Sequence, residues 1–133
     1  MPEPLEVLAY DHVGIRVRDR DRSVAFYALL GFEVTLEDED AAVVILRNER
    51  GVEINLIVNA TAGAGVNVLM DADEKLPGHT HIALAVGPMA SVVERLDALG
   101  ITLSGGPLWL GGAESCFIRD PDRNVIELRA AAH

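Results

Sequence analysis

The chain has 133 residues, half of them hydrophobic, which is enough for one compact domain that buries a core without disulfides. Its formal net charge of −10 argues against a nucleic-acid partner, because phosphate recognition needs clustered Lys and Arg. Cys116 is the only cysteine, so no disulfide can form within the chain. No signal peptide is recognisable, and no segment reaches the roughly 20 apolar residues that span a bilayer. We therefore expect a cytoplasmic protein without a membrane partner.

The first part of the chain, about residues 8–58, predicts a strand, a helix and three further strands. Residues His12–Val17 alternate between apolar and other side chains, as in a strand with one buried face. A helix can begin at Asp21-Arg22-Ser23 and end before Gly31, which suits a C-terminal cap. The three remaining strands are expected at residues 32–36, 42–46 and 52–58.

The second part, about residues 79–129, repeats the first. An offset of 69 residues aligns His12 with His81 and Leu30-Gly31 with Leu99-Gly100, and a further shift of five residues aligns Glu53 with Glu127. The predicted elements are a strand at 81–86, a helix at 90–99 and strands near 101–104, 114–119 and 124–129, with residues 59–78 as the linker. The sequence therefore predicts one α+β domain spanning residues 1–133, in which two βαβββ modules form a cupped mixed sheet.

Two histidines and two glutamates occupy repeat-related positions on these predicted strands. Because side chains alternate between the faces of a strand, all four lie opposite the apolar face that packs against a helix. A single histidine on a strand is usually a surface residue, but here one repeat generates both His–Glu pairs. Imidazole and carboxylate ligands suit a divalent ion such as Zn, Ni, Co, Mn or Fe. We therefore predict that His12, Glu53, His81 and Glu127 bind one divalent metal ion around which the sheet is cupped.

From Asp11 to Arg129 the chain resembles the vicinal oxygen chelate superfamily, which contains glyoxalases, bleomycin-resistance proteins and extradiol dioxygenases. The segments that carry the resemblance are Asp11-His12-Val13-Gly14-Ile15, residues 26–32, residues 78–84 and residues 117–128. In ligand pattern the chain is most similar to bacterial glyoxalase I, which uses His, Glu, His and Glu. Extradiol dioxygenases are similar in fold but use two His and one Glu on Fe(II), and bleomycin-resistance proteins lack the metal ligands.

The resemblance implies a metal-dependent lyase or isomerase that moves a proton next to a carbonyl group of a small oxygen-chelating substrate. It implies Glu127 as the base, with Glu53 as the second choice. The alternatives are an Fe(II) extradiol-type dioxygenase and a non-enzymatic drug-binding protein. Four protein ligands favour the first function over the second, and intact ligands argue against the third. A homodimer is also expected, because each curved half-sheet leaves an edge that needs covering and because relatives pair modules within or across subunits.

Four residues are candidates for substrate contact. Arg16, four residues after His12, falls where glyoxalase I places an arginine for a glutathione carboxylate. Asn55 and Arg129 lie on the predicted cup face, where they could bind an anionic substrate or neutralise the glutamates. Trp109, in a predicted long loop, could cover the cup or simply pack. The family's asparagine four residues after the Glu53-type ligand is Ile57 here, which weakens the expectation that glutathione is the substrate.

Overall fold

The computed structural model of the protein describes residues 2–63 and 65–131. The first module comprises β1 (Val13–Arg16), α1 (Arg20–Leu29), β2 (Glu33–Asp38), β3 (Val43–Arg47) and β4 (Glu53–Ile57). The second comprises β5 (His81–Val86), α2 (Met89–Ala98), β6 (Gly105–Leu110), β7 (Ala113–Arg119) and β8 (Val125–Ala130). The predicted α+β class and the repeated βαβββ order are confirmed. Within residues 2–63 and 65–131, no helix is long and apolar enough to cross a membrane.

Each module forms its own four-stranded mixed sheet, with strand orders β1-β4-β3-β2 and β5-β8-β7-β6. The first strand of each module pairs in parallel with the last, and the other neighbours are antiparallel. Parallel neighbours need a crossover connection, which here contains the helix and the two intervening strands. This topology places β1 and β5, the strands that carry or follow the two histidines, at the edges of their sheets.

The ends of the helices follow the local sequence. The Asp19 side chain accepts a hydrogen bond from the Arg22 backbone N–H at 3.0 Å, so that α1 begins one residue earlier than the sequence predicted. After the helices, Gly31 and Gly100 have φ angles of +92° and +74°, the left-handed conformation that favours glycine. These caps set the direction in which the chain returns to each sheet.

One hydrophobic core joins the two modules. It takes side chains from the helix-facing side of both sheets, including Ile15 and Leu56 from the first and Ile118 and Ile126 from the second. Tyr27 of α1 is completely buried in the same core. We use the term cup face for the opposite side of each sheet, which carries the candidate site residues. The candidate site residues therefore lie on the side of each sheet that faces away from the core.

A buried hydrogen bond also links the modules. The Tyr27 hydroxyl donates to Oδ2 of Asp120, in the turn after β7, at 2.9 Å. The other carboxylate oxygen of Asp120 accepts from the backbone N–H groups of Asp122 and Asn124, each at 2.9 Å. Burial raises the pKa of Asp120, and these hydrogen bonds oppose the rise. Burial and the nearby negative charge of Asp120 raise the pKa of Tyr27 well above its ordinary value.

The linker is held to the second module by an ion pair. Arg123 Nε donates to Asp71 Oδ2 at 2.7 Å, and Arg119 Nη1 lies 3.0 Å from Asp71 Oδ1. The hydrogen bond from Arg123, followed by one from the Asn67 backbone N–H, holds the pKa of Asp71 well below its usual range. The acidic linker residue therefore fixes the position of the β7–β8 turn.

Strand β6 lies farther along the chain than predicted. The strand was expected near residues 101–104 and Trp109 in a long loop, whereas Trp109 lies in β6 and pairs with Glu114 of β7. Gly111 and Gly112, with φ angles of +58° and +87°, connect the paired residues Leu110 and Ala113. Two successive residues with positive φ are typical of a two-residue hairpin turn. The prediction was wrong because the glycines mark a tight turn rather than a loop.

Candidate metal centre

The first histidine lies beside a glutamate of its own module. His12 precedes β1, and its Nδ1 is 2.6 Å from Asp11 Oδ1 and 3.6 Å from Glu53 Oε2. Glu53 begins β4 and is also bound by Arg47, whose Nε donates to Oε1 at 2.9 Å. Asp11, His12 and Glu53 offer ligand atoms that all lie within 4.8 Å of one another. We call His12, together with Glu53 and Asn55 of β4, the first half-site.

The second histidine has a buried glutamate as its partner. His81 begins β5, and its Nε2 lies 3.1 Å from Oε1 of Glu127 on β8. The other Glu127 oxygen accepts a hydrogen bond from the Ser115 hydroxyl at 2.7 Å. His81 Nδ1 lies 2.9 Å from the Thr80 hydroxyl, which orients the imidazole ring. His81 and Glu127 form the second half-site, in which both carboxylate oxygens have a defined neighbour.

Among residues 2–63 and 65–131, the two half-sites do not form one ligand cluster. In the part of the chain that the structure describes, the group of three or more potential ligands within 4.8 Å contains His12 but neither His81 nor Glu127. The structure thus brings together the predicted ligands of each module in pairs, but it does not bring the four together.

The donor atoms nevertheless fit a divalent cation. Ligand atoms about 2.1 Å from a metal ion lie about 3 Å apart in the usual coordination geometries. The His81–Glu127 separation of 3.1 Å matches this spacing, and the His12–Glu53 separation of 3.6 Å is close to it. Each half-site therefore offers part of a coordination shell.

The strand register shows which residues of the two modules are equivalent. In the parallel pair β5–β8, Glu127 lies opposite Ala83, two residues after the histidine of that module. In β1–β4, the residue opposite Gly14, two residues after the other histidine, is Asn55. Asn55 is 9% exposed, and its Oδ1 has no hydrogen-bond partner among the described residues. By register, the counterpart of Glu127 is therefore Asn55.

The predicted repeat alignment differs from this register by two residues. It matched Glu53 to Glu127, whereas the strands place Glu53 level with His12 and equivalent to Val125, which pairs with His81. The error arose because alternating apolar residues on β4 and β8 align equally well after a shift of two. The hydrogen-bonded pairing of the strands distinguishes the two alignments.

The other predicted contacts separate into two groups. Arg16 Nε donates to Asn59 Oδ1 at 3.0 Å, and Asn59 is the fourth residue after Asn55. Counted from Asn55 rather than Glu53, the asparagine that the resemblance implies is therefore present. Arg129 instead donates to the carbonyl oxygens of Leu110 and Gly111, at 2.6 and 2.7 Å. It anchors the β6–β7 hairpin, on which Trp109 is 72% exposed.

Sequence reasoning did not identify Ser115 or Arg47, which bind the two glutamates. Their strand parity could have indicated them, because Ser115 alternates with the buried Cys116 on β7 and Arg47 alternates with Leu46 on β3.

An open groove of about 1100 Å³ runs between β1 and β5, and its lining includes Arg16, Glu53 and His81. Residues from both half-sites thus border one groove beside the two sheet edges.

Comparison with known proteins identifies the family. The sequence profile of the Glyoxalase/Bleomycin resistance protein/Dioxygenase superfamily matches residues 9–128. The chain belongs to this superfamily. Within it, the lactoylglutathione lyase of Salmonella typhimurium is 31% identical over 123 residues, which cover 88% of this chain and 88% of that protein. A probable lactoylglutathione lyase of Vibrio cholerae is 28% identical over 124 residues, with coverage of 88% and 86%.

Solved structures of the superfamily have the same fold. Lactoylglutathione lyase from Agrobacterium tumefaciens has a TM-score of 0.66 at 24% identity, and the similarity covers 92% of this chain and 93% of that one. A glyoxalase/dioxygenase from Nostoc punctiforme has a TM-score of 0.71 at 18% identity, with coverage of 98% and 100%. These similarities confirm the fold of the superfamily.

Proposed function

We propose that the protein is a metal-dependent lyase or isomerase of glyoxalase type, which transfers a proton next to a carbonyl group of a small substrate. The observation that carries the proposal is the pairing of His81 with the buried carboxylate of Glu127, with an Nε2–Oε1 distance of 3.1 Å on a cup face. The relatives that are named lactoylglutathione lyase and cover most of the chain support the same class of reaction.

The metal would be held by His12, His81 and Glu127, together with a fourth ligand from β4, for which the sequence predicted Glu53. A divalent ion of the Ni, Co, Zn, Mn or Fe class suits these donors and supplies a Lewis acid for two adjacent substrate oxygens. Both half-sites must come within a few ångströms of each other for this arrangement.

A homodimer would bring the half-sites together, with the first half-site of one protomer facing the second half-site of its partner. Two-fold symmetry would then form two equivalent sites. The exposed apolar side chains of the N-terminal segment support a dimer, because Leu5, Val7, Leu8 and Tyr10 are each at least 78% exposed. The edge positions of β1 and β5 also offer backbone groups that a second chain could cover.

Glu127 would act as the base in this site. Oε2 is held by the Ser115 hydroxyl, so that Oε1, beside His81, is the oxygen that would loosen from the metal and take the proton. The proton would leave the substrate C–H carbon and return to the former carbonyl carbon, which makes substrate and product isomers. Arg16, positioned by Asn59, would bind a negatively charged end of the substrate.

The proposal is tested by hydrogen–deuterium exchange at the α-carbon of hemithioacetals and α-hydroxycarbonyl compounds, after the protein is loaded with metal. Glu127→Gln keeps the side-chain volume but removes the basic carboxylate, and the exchange rate should fall at least about a hundredfold. Glu53→Gln is the matched control and should have a smaller effect. Exchange that persists unchanged in Glu127→Gln would remove this residue from the mechanism.

An Fe(II) oxygenase is the second candidate function. The strand register supports it, because only His12, His81 and Glu127 remain as imidazole and carboxylate ligands at equivalent positions. Two histidines and one carboxylate are the usual ligands of non-haem Fe(II) oxygenases. Oxygen consumption with catechols by the Fe(II)-loaded protein, without α-carbon exchange, would favour this function. Tight binding of an aromatic compound without either reaction would indicate a binding protein.

A further inference from the structure

We infer that Asn55, and not Glu53, supplies the fourth metal ligand through its side-chain Oδ1. The inference rests on the proposed metal-dependent function and changes the composition of the site. It replaces a ligand set of two histidines and two carboxylates by two histidines, one carboxylate and one neutral amide. The position of Asn55, the burial of its Oδ1 and the contacts of Glu53 support it.

Asn55 has the same position relative to His12 as Glu127 has relative to His81. Asn55 of β4 lies opposite Gly14, the second residue after His12. Glu127 of β8 likewise lies opposite the second residue after His81. In the second module this diagonal arrangement brings imidazole and carboxylate atoms to 3.1 Å. The same arrangement therefore aims the Asn55 side chain towards the place where His12 can share a ligand with it.

The Asn55 oxygen is buried and available. Oδ1 finds no hydrogen-bond partner in residues 2–63 and 65–131, although the residue is only 9% exposed. Buried polar atoms are normally paired, so a buried orphan acceptor calls for a donor or a cation. Gly14, directly opposite on β1, presents no side chain that would cover the amide.

Glu53 has other partners. Its Oε1 lies 2.9 Å from Arg47 Nε and 2.7 Å from Arg47 Nη2, a two-pronged ion pair across β3 and β4. Its Oε2 lies 3.6 Å from His12 Nδ1. A cation at the other oxygen, Oε2, would lie on the carboxylate that already pairs with the Arg47 guanidinium, and the positive charge of Arg47 opposes it. Its contacts suit a residue that neutralises Arg47 and orients His12.

This ligand set has a consequence for the substrate. A divalent ion with one carboxylate ligand keeps a net positive charge, whereas a second carboxylate would neutralise it. The site therefore favours chelating substrates with at least one negatively charged oxygen in the chelating pair, such as 2-oxo acids or catecholates, over neutral dicarbonyl compounds.

The test is the affinity of the full-length protein for Co²⁺, measured by calorimetry and by the visible absorption of the bound ion. Asn55→Leu should weaken binding at least about tenfold and change the Co²⁺ spectrum, and His12→Ala should do the same. Glu53→Gln should weaken binding less than about fivefold. Asn55→Asp, which adds a charged ligand at the same position, should bind Co²⁺ more tightly than the wild type and serves as the folded comparison if Asn55→Leu is unstable.

The possible outcomes separate this inference from the proposed function. Loss of affinity in Glu53→Gln, with wild-type affinity in both Asn55 variants, would overturn the role of Asn55 but leave a metal-dependent enzyme. A wild-type protein that binds no Co²⁺, Ni²⁺, Zn²⁺, Mn²⁺ or Fe²⁺ would overturn both. Normal Co²⁺ binding without α-carbon exchange would leave the ligand assignment intact and refute the lyase.

Discussion

Replacing Tyr27 with phenylalanine removes the hydroxyl that links α1 to the turn after β7. The Tyr27 side chain is completely buried, and its hydroxyl donates to Asp120 Oδ2 at 2.9 Å. The ring itself packs at right angles against Phe26 and Phe32, with centroid distances of 5.2 and 6.4 Å. Phenylalanine keeps those aromatic contacts, so that the substitution changes the hydrogen bond and little else.

The expected cost follows from the partners of Asp120. A hydrogen bond to a charged group contributes about 1.5–3 kcal/mol to stability. Asp120 keeps donors from the Asn124 side chain and from two backbone N–H groups, all at 2.9 Å, and its carboxylate therefore stays solvated by the protein. We expect the lower part of the range, about 1.5–2 kcal/mol, which for a chain of this size lowers Tm by about 5–10 °C.

Urea denaturation at one fixed protein concentration measures this change, because concentration affects the stability of any dimer. The midpoint should fall while the m-value stays constant. Thr102→Val is the control, since it removes the hydroxyl of an exposed residue and should leave the midpoint unchanged. A loss of less than about 0.5 kcal/mol in Tyr27→Phe would show that the hydroxyl does not stabilise the contact between the modules.

Three further outcomes follow from the described contacts. Ser115→Ala removes the hydroxyl donor of buried Glu127 and should lower the free energy of unfolding by about 1–3 kcal/mol in urea and also slow α-carbon exchange, whereas unchanged stability would contradict the contact. Arg129→Met removes both carbonyl contacts of the β6–β7 hairpin and should increase proteolysis near Trp109, detected by mass spectrometry against the wild type. Asp71→Asn should destabilise the protein at pH 7. The folded-state pKa of Asp71 is depressed, so the stability that its carboxylate contributes is present above the unfolded pKa of about 3.9 and is lost as the pH falls further. The stability of the variant should therefore approach that of the wild type in acid denaturation.

The order of the elements could be predicted because each has a clear local signal. His12–Val17 alternates with a period of two, and Gly31 and Gly100 mark the ends of both helices. Both histidines were found because their surroundings repeat at a constant offset. Each signal is contained in a short segment or in the comparison of two such segments. None of them requires knowledge of which strands pair.

The register of β4 and the contacts between modules could not be predicted in the same way. Asn55 and Glu53 occupy the same face of one strand, and a shift of two residues preserves every apolar match. The hydrogen bond between Tyr27 and Asp120 joins residues 93 positions apart, and no local pattern relates them. Whether the half-sites meet depends on how the modules pack, which the repeat does not encode.

The shared core also affects how this repeated chain folds. In solenoid repeats each unit contacts only its neighbours and can open by itself. Here Tyr27 of the first module and Ile118 and Ile126 of the second are completely buried in one apolar cluster. Opening either module would expose side chains of the other to water, so the two halves are coupled in a single cooperative transition. A duplicated chain of this kind cannot lose one half without losing the interior of both.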